Sequence, residues 1–255
     1  MIRLSVNLNK IALLRNARGG SIPDVVAAAR TCIAAGCHGI TVHPRPDARH
    51  IRFQDVFDLA AMLTVEFNIE GYPSAEFLDL VHRIRPTQAT LVPDAPGVLT
   101  SNAGWNLSTG ADWLRDVLAR LTKAGIRSSL FMEPDPKQVR RARELGADRI
   151  ELYTGPYASA FGTPGGNKIL AAHREAAHLA RAIGLGVNAG HDLDLVNIPA
   201  YARAVKGLQE VSIGHALVND ALYMGLRRAV GAYLKALGSE PAAAKRTRAK
   251  PRLLN

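Results

Sequence analysis

Two imidazoles and two guanidinium groups lie within eight residues of ITVHPRPDARHI: His43, Arg45, Arg49 and His50. A phosphate-bearing substrate would explain that density, because guanidinium forks bind phosphate bidentately and a neutral imidazole moves protons near pH 7. The alternative is a solvated loop whose charges are incidental. In FNIEGYP, Glu70 precedes Gly71 and the turn former Pro73. It reads either as a general base or as the acid of a salt bridge to a nearby arginine. Two further turns, VNAGHDL and VSIGHAL, each pair a glycine with a histidine: Gly190 with His191 and Gly214 with His215. Glycine lets backbone N–H groups close on an anion. Either histidine alone could be a satisfied core residue, but two Gly-His turns argue for a shared site. LLRNARGG supplies Arg15 and Arg18, read as a mobile loop carrying a cation or as a surface helix end. His173 and His178 lie in an Ala-rich helical stretch and read as an exposed helix face.

These residues follow short apolar, β-branched runs, and eight such runs can be counted. They are IRLSVN, GITVHP, EFNIEG, ATLVP, IRSSLFM, RIELYT, LGVNAG and EVSIGH. Helical spacing fills the stretches between them. In PDVVAAARTCIAAG, for example, Pro23 fits the first turn and Gly36 the C-terminal cap. Alternating strands and helices pair in parallel through right-handed crossovers, and eight repeats predict closure into one (β/α)8 TIM barrel. No G-x-G-x-x-G turn follows the first strand, which argues against an open dinucleotide-binding sheet. In a barrel, function gathers at the carboxyl ends of the strands. Those ends are Asn7, His43, Glu70, Pro93, Glu133, Glu151, His191 and His215. Such polar groups cost desolvation energy that a mere scaffold need not bear, so they point to an enzyme. The segment from Thr154 to Lys168, rich in Gly and Pro, reads as a long loop and a lid over the mouth.

Composition sets the outer bounds. The chain has 255 residues, 47% hydrophobic and 21% charged, which excludes collagen-like and wholly disordered classes. Without a transmembrane run or a signal-peptide pattern, the expectation is a cytosolic protein. Cys32 and Cys37 lack the partners of a zinc site and read as reduced, buried thiols. The net charge is +10, but five basic residues of the segment after Gly238 stand against Glu240 alone. The division is a barrel over residues 1–238 and a disordered basic tail over residues 239–255. Metalloprotease, Walker and paired C-x-x-C patterns are absent, as is an aromatic RNA-binding platform, so neither a metal, a redox cofactor nor a nucleic-acid partner is expected.

Long stretches of the chain resemble the pyridoxine 5′-phosphate synthase family, from about Leu4 to Leu237. The carriers are VNLNKIALLRNARGG, GITVHPRPDARHI, FNIEGYPS, LVPDAPGVLTSNAGW, RIELYTGPYA, VNAGHDLDLVN and VSIGHALVNDAL. The resemblance implies condensation of 3-amino-2-oxopropyl phosphate with 1-deoxy-D-xylulose 5-phosphate. The products would be pyridoxine 5′-phosphate, inorganic phosphate and water, formed without metal or organic cofactor by an octamer of barrels. By the same resemblance, His43 and Glu70 match proton acceptors and His191 the proton donor. Asn7, Arg18, Asp192, Gly214 and His215 match positions that hold the aminoketone phosphate. Arg45, His50 and Thr100 match those for the pentulose phosphate, and Glu151 matches a further acid at the mouth. Many members carry Asp-His at Asn9-Lys10 and Gly at Asp192. Members with Asn-Lys also belong to the family, so this pair reads as a variant pentulose site. The competing readings are another phosphosugar barrel, of aldolase or epimerase type, and a nucleic-acid-associated protein acting through its tail. A Schiff-base aldolase would need a lysine inside the barrel, and the strand cores supply none.

Overall fold

The computed structural model describes residues 1–94, 103–108 and 110–242. Its eight strands, β1 (Arg3–Asn7), β2 (Gly39–Val42), β3 (Glu66–Gly71), β4 (Gln88–Leu91), β5 (Arg127–Met132), β6 (Arg149–Leu152), β7 (Gly186–Ala189) and β8 (Leu208–Ile213), close into one parallel barrel. Every neighbour in sequence is a neighbour in space, and β8 closes the ring on β1. All eight coincide with the apolar runs read from the sequence. The helices around the barrel are α1 (Asn9–Asn16), α2 (Val25–Ala34), α3 (Phe53–Met62), α4 (Ala75–Ile84), α5 (Leu114–Lys123), α6 (Pro136–Leu145), α7 (Gly155–Ser159), α8 (Pro164–Ala182), α9 (Ile198–Ala204), α10 (His215–Met224) and α11 (Leu226–Ala236).

Alternation along each strand sends one set of side chains outward and the other toward the axis. Outward go Leu4, Val6, Ile40, Val42, Ile69, Leu91, Leu130, Ile150, Val187 and Ile213, all buried against the helices. This apolar shell between strands and helices is the main core. The axis is polar. Ser5 and Thr41 hydroxyls lie 2.7 Å apart, Thr90 donates to Asn68, and Asn188 reaches across to Gln88. At the N-terminal end, Arg3 and Arg127 pair with Glu66, while Arg127 and Arg149 both approach Glu210 at 3.9 Å. Charges at this depth persist because they are paired and hydrogen-bonded.

Four sequence expectations are corrected. LLRNARGG is not a mobile loop up to Asn16: it completes α1, and the buried Arg15 forms an ion pair with Asp55. The stretch from Thr154 to Lys168 is not one long loop but α7 and the start of α8, with Thr163 capping the latter through Gly166 N–H. His173 is fully buried, its Nδ1 2.9 Å from the Tyr201 hydroxyl. Pro23 precedes the first turn of α2, where Asp24 is the N-cap and accepts from Ala27 N–H. Gly36 does end the α2 segment, at φ +98°, a conformation that suits glycine. Cys32 and Cys37 are free, buried thiols. Past the boundary at Gly238, Ser239 donates to the Ile2 carbonyl and Ala242 N–H to the Gly36 carbonyl, so these residues lie against the barrel's N-terminal end. The rest of the tail lies outside the described residues. Among those described, no helix is long and apolar enough to cross a membrane.

Candidate active site

The carboxyl ends of the strands surround a cavity of about 280 Å³. Of the side chains singled out from sequence, Asn7, Asn9, Lys10, His43, Arg45, His50, Glu70, Glu151, His191, Asp192, Gly214 and His215 line it. Arg18 does not; it lies exposed beyond α1. Thr100 is outside the described residues. Of the remaining strand ends, Pro93 and Glu133 do not line the cavity either, and Val92 and Phe131 take those places. Glu133 instead accepts weakly from Gly104 N–H at 3.4 Å. Thr90, Val92, Phe131 and Ser212 are lining residues missed by reading strand ends alone. Phe131 lies two residues before Glu133 and so shares its face of the strand, whereas Thr90 is in phase with Val92 rather than with Pro93, the end read from sequence.

The β1 exit builds a frame for the acid-base groups. The Asn7 side-chain oxygen accepts from Asn9 N–H at 2.9 Å, starting α1, while its amide donates to Glu70 at 3.3 Å. Asn9 in turn accepts from His43 N–H at 2.9 Å, tying β1 to the end of β2. Both asparagines therefore hold other site residues in place. The loop from Arg45 to His50 is held from α1: Asn16 donates to the carbonyls of Ala48, Arg49 and His50, and Arg15 also donates to the His50 carbonyl. Within the loop, Arg45 pairs with Asp94 at 2.9 Å, their side chains only 7% and 5% exposed, and Arg49 pairs with Asp47.

On the other side of the mouth, Gly190 opens the turn that carries His191. A Cβ there would lie 2.1 Å from the Ser212 carbonyl oxygen, so only glycine lets this turn approach β8. The His191 Nδ1 lies 2.7 Å from an Asp192 carboxylate oxygen, and its ring packs edge-on against Tyr153. Gly214 is the N-cap of α10, so the positive end of that helix, with its unpaired N–H groups, meets the cavity beside Asn7.

These surroundings drive the ionisable groups to different protonation states. Burial, with Arg45, His50 and Arg49 nearby, pushes the His43 imidazolium down to about 3, so His43 is neutral at physiological pH. His50 is pushed down to about 4 by burial and the same arginines. Burial raises the Glu70 carboxyl to about 7 against the pull of His191. Glu151, buried in the cavity lining, is held well above the usual carboxylate range by burial and by the charges of Glu70 and Glu210. For His191, burial disfavours the imidazolium, but the Asp192 hydrogen bond and charge, aided by Glu70, outweigh it and raise its affinity for the proton. The mouth thus holds a neutral imidazole, a carboxyl poised near neutrality and an imidazole biased toward its charged form. Such a set can remove protons at two points and deliver one at a third. Among the described residues, no three His, Cys, Asp or Glu side chains are placed to hold a metal ion.

Comparison with known proteins gives a consistent result. Residues 4–239 match the family model described as "Pyridoxal phosphate biosynthesis protein PdxJ". The chain is 53% identical over 237 residues to pyridoxine 5′-phosphate synthase of Bacteroides fragilis (strain YCH46), covering 93% of this chain and 100% of the relative. It is 52% identical over 239 residues to the synthase of the same name from Cytophaga hutchinsonii, covering 93% and 99%. Among solved structures, 3-keto-L-gulonate-6-phosphate decarboxylase from Vibrio cholerae superposes with a TM-score of 0.64 at 11% identity, covering 93% of this chain and 97% of that one. At that identity the likeness concerns the barrel alone.

Proposed function

Because the chain belongs to the PdxJ family of pyridoxal phosphate biosynthesis proteins, we propose that its barrel mouth joins 3-amino-2-oxopropyl phosphate to 1-deoxy-D-xylulose 5-phosphate. The protein is an enzyme that forms pyridoxine 5′-phosphate, with inorganic phosphate and water released. One observation carries the assignment of this site: Glu70, His43 and His191 meet in one cavity while their surroundings push their proton affinities apart.

The chemistry needs separate proton handlers. An amine attacks a ketone, water leaves, protons come off carbons beside a carbonyl or imine, and the ring closes and becomes aromatic. Glu70, half-ionised near neutrality, accepts a proton on the β3 side. His43, neutral on β2, accepts another. His191 on the opposite side keeps its proton through Asp192 and delivers it to the departing oxygen. Glu151, which lines the same cavity and whose hold on its proton is raised by burial and the nearby carboxylates, can offer a hydrogen-bond donor to the growing ring.

Two phosphorylated substrates need two anion sites. Gly214 and His215 at the start of α10, with Asn7 and Asp192, form the one assigned to the aminoketone phosphate; barrels commonly hold phosphate at this corner. Lys10, Arg45 and His50, with Asn9 orienting the β2 end, form the pentulose site, and Thr100 and Arg18 complete the two sets by resemblance to the family. The enzyme is proposed to work in the cytoplasm as a homo-octamer. Large exposed apolar side chains, Ile22 at 83%, Leu222 at 70% and Tyr223 at 87%, support burial against another copy.

The test supplies both phosphates to purified protein and follows pyridoxine 5′-phosphate by absorbance and mass. Product at the expected mass is the predicted outcome. Folded protein that yields none would overturn the reading.

A further inference from the structure

We propose that Thr154, at the exit of β6, is a positioning residue that sets the geometry of the His191–Asp192 pair without touching substrate. The proposal rests on the reading of His191 as proton donor. Thr154 is wholly buried and does not line the cavity. Its hydroxyl donates to the Gly190 carbonyl at 3.0 Å and lies 3.4 Å from Asp192 N–H, which it accepts. Those two backbone groups bracket His191 on either side.

The turn they belong to is tightly specified. Leu193 N–H donates to the same Gly190 carbonyl at 2.7 Å, closing four residues with His191 and Asp192 at the centre. Gly190 itself is pressed against the Ser212 backbone on β8. The turn is therefore fixed from β8 at its base and from β6 by one hydroxyl. Asn197, held by Tyr157 through its carbonyl, reaches the Asp192 carbonyl more loosely at 3.5 Å. Neighbouring side chains diverge in strands and helices, so a contact between adjacent His191 and Asp192 requires a particular turn geometry. Their 2.7 Å contact depends on the peptide units that Thr154 holds.

Removing the hydroxyl leaves the Asp192 N–H without this acceptor and the Gly190 carbonyl with one donor fewer, while the Cβ framework remains. The turn then relaxes, and the carboxylate no longer meets the imidazole at the same distance and angle. The ionisable groups that bear on His191 include Asp192 on its own turn, Glu70 from β3, Asp94 beyond β4 and Tyr153 just past β6. Of these, Asp192 alone sits on this turn, so the loss falls on that contact.

The test compares Thr154→Val with Thr154→Ser in the full chain. Val is expected to lower kcat about tenfold or more, as misplacement of a reacting group does, with both KM values held within about twofold. The His191 ring resonances, followed by NMR with labelled histidine, should titrate at lower pH than in the unmodified enzyme. The alkaline limb of the kcat profile should move the same way. Ser, which keeps the hydroxyl, should restore all three. If Val fails to fold, Thr154→Cys keeps similar bulk with a weak hydrogen-bonding group and is expected to give the same losses. Unchanged His191 titration in a folded Val or Cys variant overturns the proposal, even if kcat falls. Loss of the same magnitude in Ser also overturns it. Full activity of His191→Asn would refute the donor reading instead, while the ring titration still judges the clamp.

Discussion

Replacing Glu70 with Gln should make the enzyme more stable in alkali while nearly abolishing turnover. The carboxyl has an ordinary value of 4.5 and is raised by burial to about 7 in the folded protein. Between these values the folded state binds more protons than the unfolded state, so stability falls as pH rises through that window. Below 4.5 the group is neutral in both states and contributes nothing by this route. Above 7 the fold carries a carboxylate that water would solvate better. The span from 4.5 to about 7, at ~1.4 kcal/mol per pH unit, corresponds to about 3.5 kcal/mol. Glu70 is half-buried, so solvent screening reduces this to roughly 1–3 kcal/mol. The Asn7 amide that donates to Glu70 finds an acceptor in the Gln carbonyl as well, so little packing is lost. At roughly 2–4 °C per kcal/mol for a domain of this size, the gain in Tm is about 2–12 °C. Thermal melts of both proteins at pH 5 and pH 8, at one protein concentration, give the comparison. The Gln variant should melt higher at pH 8, and the gap should shrink toward pH 5. Steady-state rates should meanwhile fall roughly 10²- to 10⁴-fold, as for a lost general base. An equal offset at both pH values, or a lower Tm at pH 8, would refute the reasoning that burial drives the carboxyl upward.

Other perturbations separate the remaining roles. His191→Asn should lower kcat by roughly 10²- to 10⁴-fold with an unchanged melt, and near-normal kinetics would remove it from the mechanism. Lys10→Met removes a cavity-lining ammonium in the first turn of α1, a charge-assisted bond of ~1.5 to 3 kcal/mol. It should cut kcat/KM about 10- to 100-fold and raise KM for the pentulose phosphate well above that for the aminoketone; equal effects on both would point to a diffuse charge effect. Truncation after Ala242 keeps the contacts with Ile2 and Gly36 and should leave activity, and the oligomeric state measured by light scattering, intact.

The strands were legible because each is a short β-branched run bounded by glycine or polar residues, and eight of them in alternation with helices admit few closed arrangements. The mouth residues were legible for the same reason: once a strand end is placed, His43, Glu70 and His191 follow. The errors arose where a residue's partner lies far along the chain. Arg15 reads as a loop cation until Asp55, forty residues on, is brought beside it by α3. His173 and His178 lie five apart on α8, about 140° around the helix, so only one can face the core. Nothing in that Ala-rich stretch says that Tyr201 waits on the side of His173. Protonation states were out of reach for a related reason, since they depend on which groups the barrel brings together. His43 and His191 are the same side chain at two strand ends. One sits buried among Arg45, Arg49 and His50 and is kept neutral, while the other faces Asp192 and Glu70, which raise its affinity for the proton. The proposed acceptor and the proposed donor thus come from one residue type, set apart by cations beside β2 and carboxylates beside β7.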